Sequence, residues 1–454
     1  MLVPRNLSRL GMLIVTALTL ILSVKAQDTP SANAFNGRWD LLFDLPASQP
    51  YSQVKMPFEL ILEADGRVTA TALGTPGLSL PEGRLERDQL VMKGKSAFGP
   101  STLTATVTGN RLQGEWSVPS FKGGVKGERI ESRSSKESRL AVFDDVWSQV
   151  NQKFYDPHFN GVNWEAVRLR YRPLVASSAT DGQMLLVMRE MLKELKSSHV
   201  GFYALSPEEA LIPRSAGVSA SENKSASITW KQLPGNIGYL RVTRFDEGAD
   251  VVRLVDQAFA EIGSSPWLII DLRANPGGTL SVAMRLGDYI FRSPRVVGFL
   301  ATREGLRYYK ISAIEQLSAD RLPVYDGYNV NEFWQALRKT GAVALKTGGR
   351  GKIPFRGRVV MLMDEECAST AEGLLSMVKE AKAATLIGRR TAGALLSAID
   401  IKVTGGWTLR IPEADFRTLG GVNVEGRGVD PDIVVEKKDD DAELKRALEF
   451  IRNN

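Results

Sequence analysis

Two apolar runs constrain this chain most: WLIID (Trp267–Asp271) and VVMLM (Val359–Met363). Each is about a strand long and lacks an alternating polar face. Each leads through a loop of small residues into a helical pattern, LRANPGG into a helix at about 279–291 and ECAST into GLLSMVKEAKAA (Gly373–Ala384). A strand that is apolar on both sides must be covered on both sides, and crossover helices supply the cover. Further strands at IGYLRV (Ile237–Val242) and ATLIG (Ala384–Gly388) extend the alternation, which predicts an α/β core over residues 228–454. In a parallel sheet, the loops that follow the strands gather at one edge, where sites form.

Upstream, the period changes. FELILEADGRVTATAL (Phe58–Leu73) and TLTATVTGNRLQGEWSV (Thr102–Val118) alternate around Asp65-Gly66 and Gly109-Asn110 turns, so residues 35–130 read as a small antiparallel barrel or sandwich. Trp39 and Trp116, in the echoing NGRW and QGEW stretches, read as core plugs rather than ligand stackers. After the polar stretch ESRSSKES (Glu131–Ser138), apolar residues fall at three- and four-residue steps from Leu140 to Phe154 and again over about 181–196. A helical subdomain is therefore expected over 139–205. YDPHFNGVNW (Tyr155–Trp164) reads as a loop, with His158 a turn residue, and residues 206–227 as a polar linker. Residues 302–356 form an insert with a helix near 331–338, and a cap over the core is one reading of it.

Residues 1–26 have the build of a Sec-type secretory signal. Arg5 and Arg9 precede the apolar run LGMLIVTALTLIL (Leu10–Leu22), and small residues before Gln27 mark a cut. A secreted or periplasmic protein without stable membrane insertion is expected, an uncleaved anchor being the alternative. The formal charge of +6 owes three units to Arg5, Arg9 and Lys25, and the remainder is too balanced to argue for nucleic acid. With one cysteine, Cys367, the chain has no internal disulfide; with two histidines, His158 and His199, it has no His-rich metal site.

The loops NPGG and ASTA carry the candidate chemistry. Gly277 and Gly278 let backbone N–H groups approach a ligand, and Ser369 opens a helix whose N-terminal field favours negative charge. Together they have the parts of an acyl-transfer site: a hydroxyl beside N–H donors for an oxyanion. Each part also has a plain local reading. Gly277-Gly278 suits a tight turn, Ser369 with Glu372 is a capping-box pattern, and a lone His199 is commonly structural. Cys367 reads as a packing residue.

Six stretches in order make the chain resemble the C-terminal processing (tail-specific) serine peptidases, in particular their tricorn-core branch. They are YDPHFNGVNW, LKELKSSHVGF, IIDLRANPGG, ECASTAEGLL, LIGRRTAG and VNVEGRGVDPDIVV, spread in family order over about residues 140–454. The resemblance implies a ClpP/crotonase-like core with Ser369 as nucleophile. Many relatives pair that serine with a lysine, but Ala394 stands at the corresponding position in TAGALLS (Thr391–Ser397), and Lys379 and Lys382 lie on the wrong side of the turn. The tricorn-like arrangement uses His preceded by Ser, with a distant Glu. It implies His199 as general base, Ser198 holding its ring and Glu425 orienting Ser198, although Glu425 also suits a surface turn. Gly277 or Gly278, with Thr370, would supply the oxyanion N–H groups. The linker at 206–227 is too short for the PDZ domain that relatives often carry.

The expectation is thus an exported serine peptidase acting on peptides or unfolded protein tails, with no metal or organic cofactor. A hydrophobic-ligand carrier built on the same core, or a non-peptide esterase, are the alternatives. Oligomeric state is not legible.

Overall fold

The computed structural model describes residues 35–454 apart from 48, 50, 75–77, 97, 131–133, 214–226, 349–353 and 437–440. The signal at residues 1–26 lies outside the described residues, as does most of the 206–227 linker.

The alternating N-terminal stretch closes into a barrel. Eight antiparallel strands run in sequence order from Gly37–Asp44 to Phe121–Ile130, and the first strand pairs with both the second and the last. Closure removes the exposed edges that a sandwich of this size would keep. Inward side chains fill it: Trp39 and Trp116 are buried, and each indole N–H is satisfied by a barrel carbonyl, of Phe35 and Asp44, at 2.9 Å. Phe43 meets Trp116 edge-on, with ring centroids 5.8 Å apart.

Three helices follow, Lys136–Lys153, Trp164–Ser177 and Asp181–Lys193. The middle one was not legible in the sequence, because Pro173 lies inside it and Leu169 and Leu174 point outward, which blurs its apolar stripe. The barrel is docked on these helices. Leu73 is buried in the helical core, the half-buried Arg189 donates to Gly74 O (2.7 Å), and buried Glu59 accepts from Thr180 Oγ1 (2.7 Å) and the Gly182 N–H (3.0 Å). The strand Leu211–Pro213 also returns to pair with the barrel strand Tyr51–Leu62.

The core holds two sheets. In the first, Ile237–Val242, Trp267–Asp271, Arg358–Met363, Thr385–Gly388 and Ile433–Val434 run parallel, with Ile228–Leu233 antiparallel at one edge. One face carries Leu240, Leu268, Ile270 and Met361 against helices Ala249–Ile262, Leu280–Ile290 and Thr370–Glu380. The other carries Tyr239, Ile269, Val360 and Leu362 against the C-terminal helix Ala442–Arg452. This double burial is why the two runs read as unbroken apolar stretches. The second sheet is mainly antiparallel and contains Arg295–Thr302, Ala342–Thr347, Thr408–Thr418 and Leu396–Lys402. The 302–356 segment is built into it: Ala342–Thr347 pairs with Arg295–Thr302, and Val324–Tyr325 forms its edge. It is sheet and packing helix, not a loose cap.

Candidate active site

Because Trp267–Asp271 and Arg358–Met363 are parallel neighbours, with Ile270 opposite Met361, their loops leave the same edge of the sheet. Asn275, fully buried, ties the two loops together. Its Nδ2 donates to Val242 O (2.9 Å), its Oδ1 accepts from the Gly277 N–H (2.8 Å), and its carbonyl accepts from the Ala368 N–H (3.0 Å). The sequence reading did not single out Asn275. The signal available was its place before Pro-Gly-Gly, where a short amide can satisfy a turn's own backbone.

Gly277 has φ +94°, and a Cβ there would lie 2.7 Å from Ser369 Cβ and 2.9 Å from Thr370 N. This close approach sets the glycine loop against the helix that Ser369 opens. Gly278 has φ +134° and is pressed on the Phe245 carbonyl, while its own carbonyl accepts from Thr370 Oγ1 at 2.6 Å. The N–H groups are thereby sorted. That of Gly277 is used by Asn275, whereas those of Gly278 and Thr370 have no acceptor among the described residues.

Ser369 occupies φ 55°, ψ −127°, a region that costs a non-glycine residue about 1–3 kcal/mol and is held only by its surroundings. Its N–H donates to Ala394 O (2.9 Å) and to Glu372 Oε2 (3.1 Å). Glu372, fully buried, also accepts from Thr391 Oγ1 (2.5 Å) and from the Gly393 and Ala394 N–H groups (2.7 Å each). Burial raises its pKa and these four donors oppose the rise. The expected capping box between Ser369 and Glu372 is thus present, and Glu372 also clamps the TAGA turn against the serine.

Ser198, His199 and Glu425 form a second constellation. Glu425 Oε1 accepts from the Ser198 N–H (2.7 Å), and Oε2 accepts from Ser198 Oγ (2.8 Å) and the Leu395 N–H (2.9 Å). Ser198 Oγ lies 2.7 Å from His199 Nδ1. A hydroxyl has one proton, and here Glu425 receives it, so Ser198 Oγ accepts from Nδ1–H. The ring is then the Nδ1–H tautomer, with a lone pair on Nε2. Burial, and next the Arg410 charge, lower the pKa of His199 and favour this neutral form.

The structure does not hydrogen-bond Ser369 to His199. What links them is Ala394, which holds the Ser369 N–H and also lines, with His199, a cavity of about 550 Å³. Lys379 and Lys382 line a different cavity, with Trp267, Arg358 and Thr385 at the strand beginnings. Cys367 is fully buried, its Sγ 2.9 Å from Leu272 O, and burial pushes its thiol pKa up. His158 is exposed in its turn, where its N–H donates to Asp156 (2.9 Å).

Residues 236–435 match Peptidase family S41, and residues 135–193 match the tricorn protease C1 domain. The barrel lies outside both matches, and Ser198 and His199 fall between them. A carboxy-terminal-processing protease of Bartonella bacilliformis is 24% identical over 210 residues, 45% of this chain and 40% of that protein. A tricorn protease homolog of Streptomyces coelicolor is 34% identical over 58 residues, 13% of this chain and 5% of that protein. The matched stretches thus span less than half the length of either relative. Among solved structures, a chain from Parabacteroides merdae superposes with a TM-score of 0.51 at 17% identity, covering 70% of this chain and 97% of that one, which is a likeness of fold. No described helix is long and apolar enough to cross a membrane.

Proposed function

From the premise that this chain carries a Peptidase family S41 domain and a tricorn C1 domain, we propose that it is an exported serine peptidase. Its substrates are peptides or unfolded protein tails, and Ser369 and His199 are its nucleophile and base. The observation that carries the reading is the Glu425–Ser198–His199 relay, which leaves Nε2 as the basic nitrogen. Ser369 Oγ attacks the scissile carbonyl carbon while His199 Nε2 takes the hydroxyl proton. The imidazolium keeps its Nδ1–H on Ser198 Oγ, whose own proton stays directed at Glu425, so the new positive charge faces a carboxylate through one hydroxyl. The hydrogen bond between Ser369 and His199 closes around substrate, as catalytic contacts of free enzymes often do.

The tetrahedral oxyanion is received by the N–H groups of Gly278 and Thr370, which have no acceptor among the described residues; each such donor is worth about 10²–10³ in rate. His199 returns the proton to the departing amine, leaving an acyl-Ser369 ester, and water repeats the sequence to release the acid. Export rests on the signal-like residues 1–26. The test is labelling with a serine-reactive fluorophosphonate and mapping of the adduct. An adduct on Ser369, absent in Ser369→Ala, is expected together with loss of peptide hydrolysis. An adduct elsewhere, or full activity in a folded Ser369→Ala protein, overturns the reading.

A further inference from the structure

The cavity beside His199 is lined by Arg189, Lys193 and Arg410 and by no carboxylate residue. Two of these cations are already matched. Arg410 is held by Asp400 in a two-pronged pair (2.7 and 2.9 Å), and Lys193 meets Glu190 at 2.6 Å on the surface. Arg189 is different. Its guanidinium donates only to backbone carbonyls: Nε to Phe202 O (3.1 Å), Nη1 to Ala72 O (3.4 Å) and Nη2 to Gly74 O (2.7 Å). No carboxylate pairs with it among the described residues. Three of its five N–H groups are so used, and the other two have no acceptor among the described residues.

A cation partly withdrawn from water without a counter-charge is unfavourable in isolation, and an arriving anion relieves the cost. Two barrel carbonyls and one from the strand that follows His199 fix the guanidinium in place, so an anion meets a preorganised donor. We propose that this cavity binds a carboxylate of the peptide substrate and that Arg189 is its anchor. The inference rests on the peptidase reading and deepens it by naming the chemistry of the preferred substrate. It also gives the barrel a part in recognition, since Ala72 and Gly74 orient the anchor. The carboxylate comes either from a Glu or Asp side chain near the scissile bond or from the peptide's C-terminus.

The test separates binding from cleavage. Four fluorescein-labelled hexapeptides, carrying Glu or Gln at one position and ending in an acid or an amide, are titrated against the Ser369→Ala protein by fluorescence anisotropy. A carboxylate-bearing peptide is expected to bind about tenfold tighter than the Gln amide, with the preference shrinking as salt rises. The Glu amide and the Gln acid reveal which carboxylate is used. Adding Arg189→Gln should bring the ratio to within about twofold, while Arg189→Lys keeps part of it. If Arg189 only ties barrel to helix, Arg189→Gln weakens all four peptides alike. That result, or equal binding of all four by the Ser369→Ala protein, overturns the inference; the latter needs no Arg189 variant. Failure of the wild-type protein to cleave any of the peptides counts against the peptidase reading alone, because the binding ratios are measured without turnover.

Discussion

The Ser369 N–H donates to the Ala394 carbonyl at 2.9 Å. The residue that holds the serine's backbone therefore offers a methyl group where the resemblance would place a lysine amine. Lys379 and Lys382 do not replace it, since both sit at the other edge of the sheet. The proposed base is His199, and its environment sets the first expectation. Burial and then Arg410 lower its pKa from the ordinary 6.5. In the proposed mechanism activity requires the neutral ring, so kcat/KM should rise with pH through a midpoint below 6.5. Arg410→Gln removes one of the two causes and should move the midpoint upward. An acid limb at lysine-like pH would refute the assignment.

In the proposed mechanism Ser198 and Glu425 position His199, and their loss should act on turnover more than on binding. Ser198→Ala removes the acceptor of Nδ1–H and leaves the tautomer unfixed. A fall in kcat of about 10²-fold is expected, with KM changed little. Glu425→Gln should fall in the same direction and should not add fully to Ser198→Ala, because the two act through one ring. Steady-state kinetics on the single and double variants check this.

Asn275→Ala should cost stability as well as rate. The side chain is fully buried and makes two hydrogen bonds. Removing it orphans the Val242 carbonyl and the Gly277 N–H, at about 1–3 kcal/mol each. The freed Gly277 N–H would also compete with Gly278 for the proposed oxyanion site. A lowered Tm with a disproportionate loss of kcat is expected, whereas a loss of Tm alone would make Asn275 purely structural.

Cys367→Ala should retain most activity, and thiol reagents should act slowly on the folded protein. The thiol is fully buried and its pKa is raised by that burial, so little thiolate is present to react. Fast inactivation that is absent in the alanine variant would show the thiol to be reachable from the site.

Glu59, at the seam between barrel and helices, offers a stability test. Burial is the largest influence on it and raises its pKa above 4.5. The folded protein therefore holds this proton more tightly than the unfolded chain does. The favourable contribution of the protonated form is complete below 4.5 and is lost as pH climbs through the raised value. Glu59→Gln keeps an oxygen for Thr180 and Gly182 without the charge. Thermal melts should show it more stable than the wild type at pH 7, with the difference closing at pH 4.

What the sequence determined by itself is local. Unbroken apolar runs ending in small residues marked strands that are covered on both faces, alternation marked the barrel, and Ser369 and the Gly277-Gly278 pair stood where a strand turns into a helix. These follow from periods of two and about three and a half residues, and from conformations that only certain residues tolerate. The tertiary structure decided what depends on distant partners. Ser198 and Glu425 meet across 227 residues. Asn275 takes the Gly277 N–H while that of Gly278 has no acceptor among the described residues, and Arg189, which lines the cavity beside His199, is held by barrel carbonyls. The Trp164–Ser177 helix and the sheet strands of the 302–356 segment were hidden for the same reason. Their stability comes from surfaces supplied by other parts of the chain, and local periodicity carries no record of those surfaces.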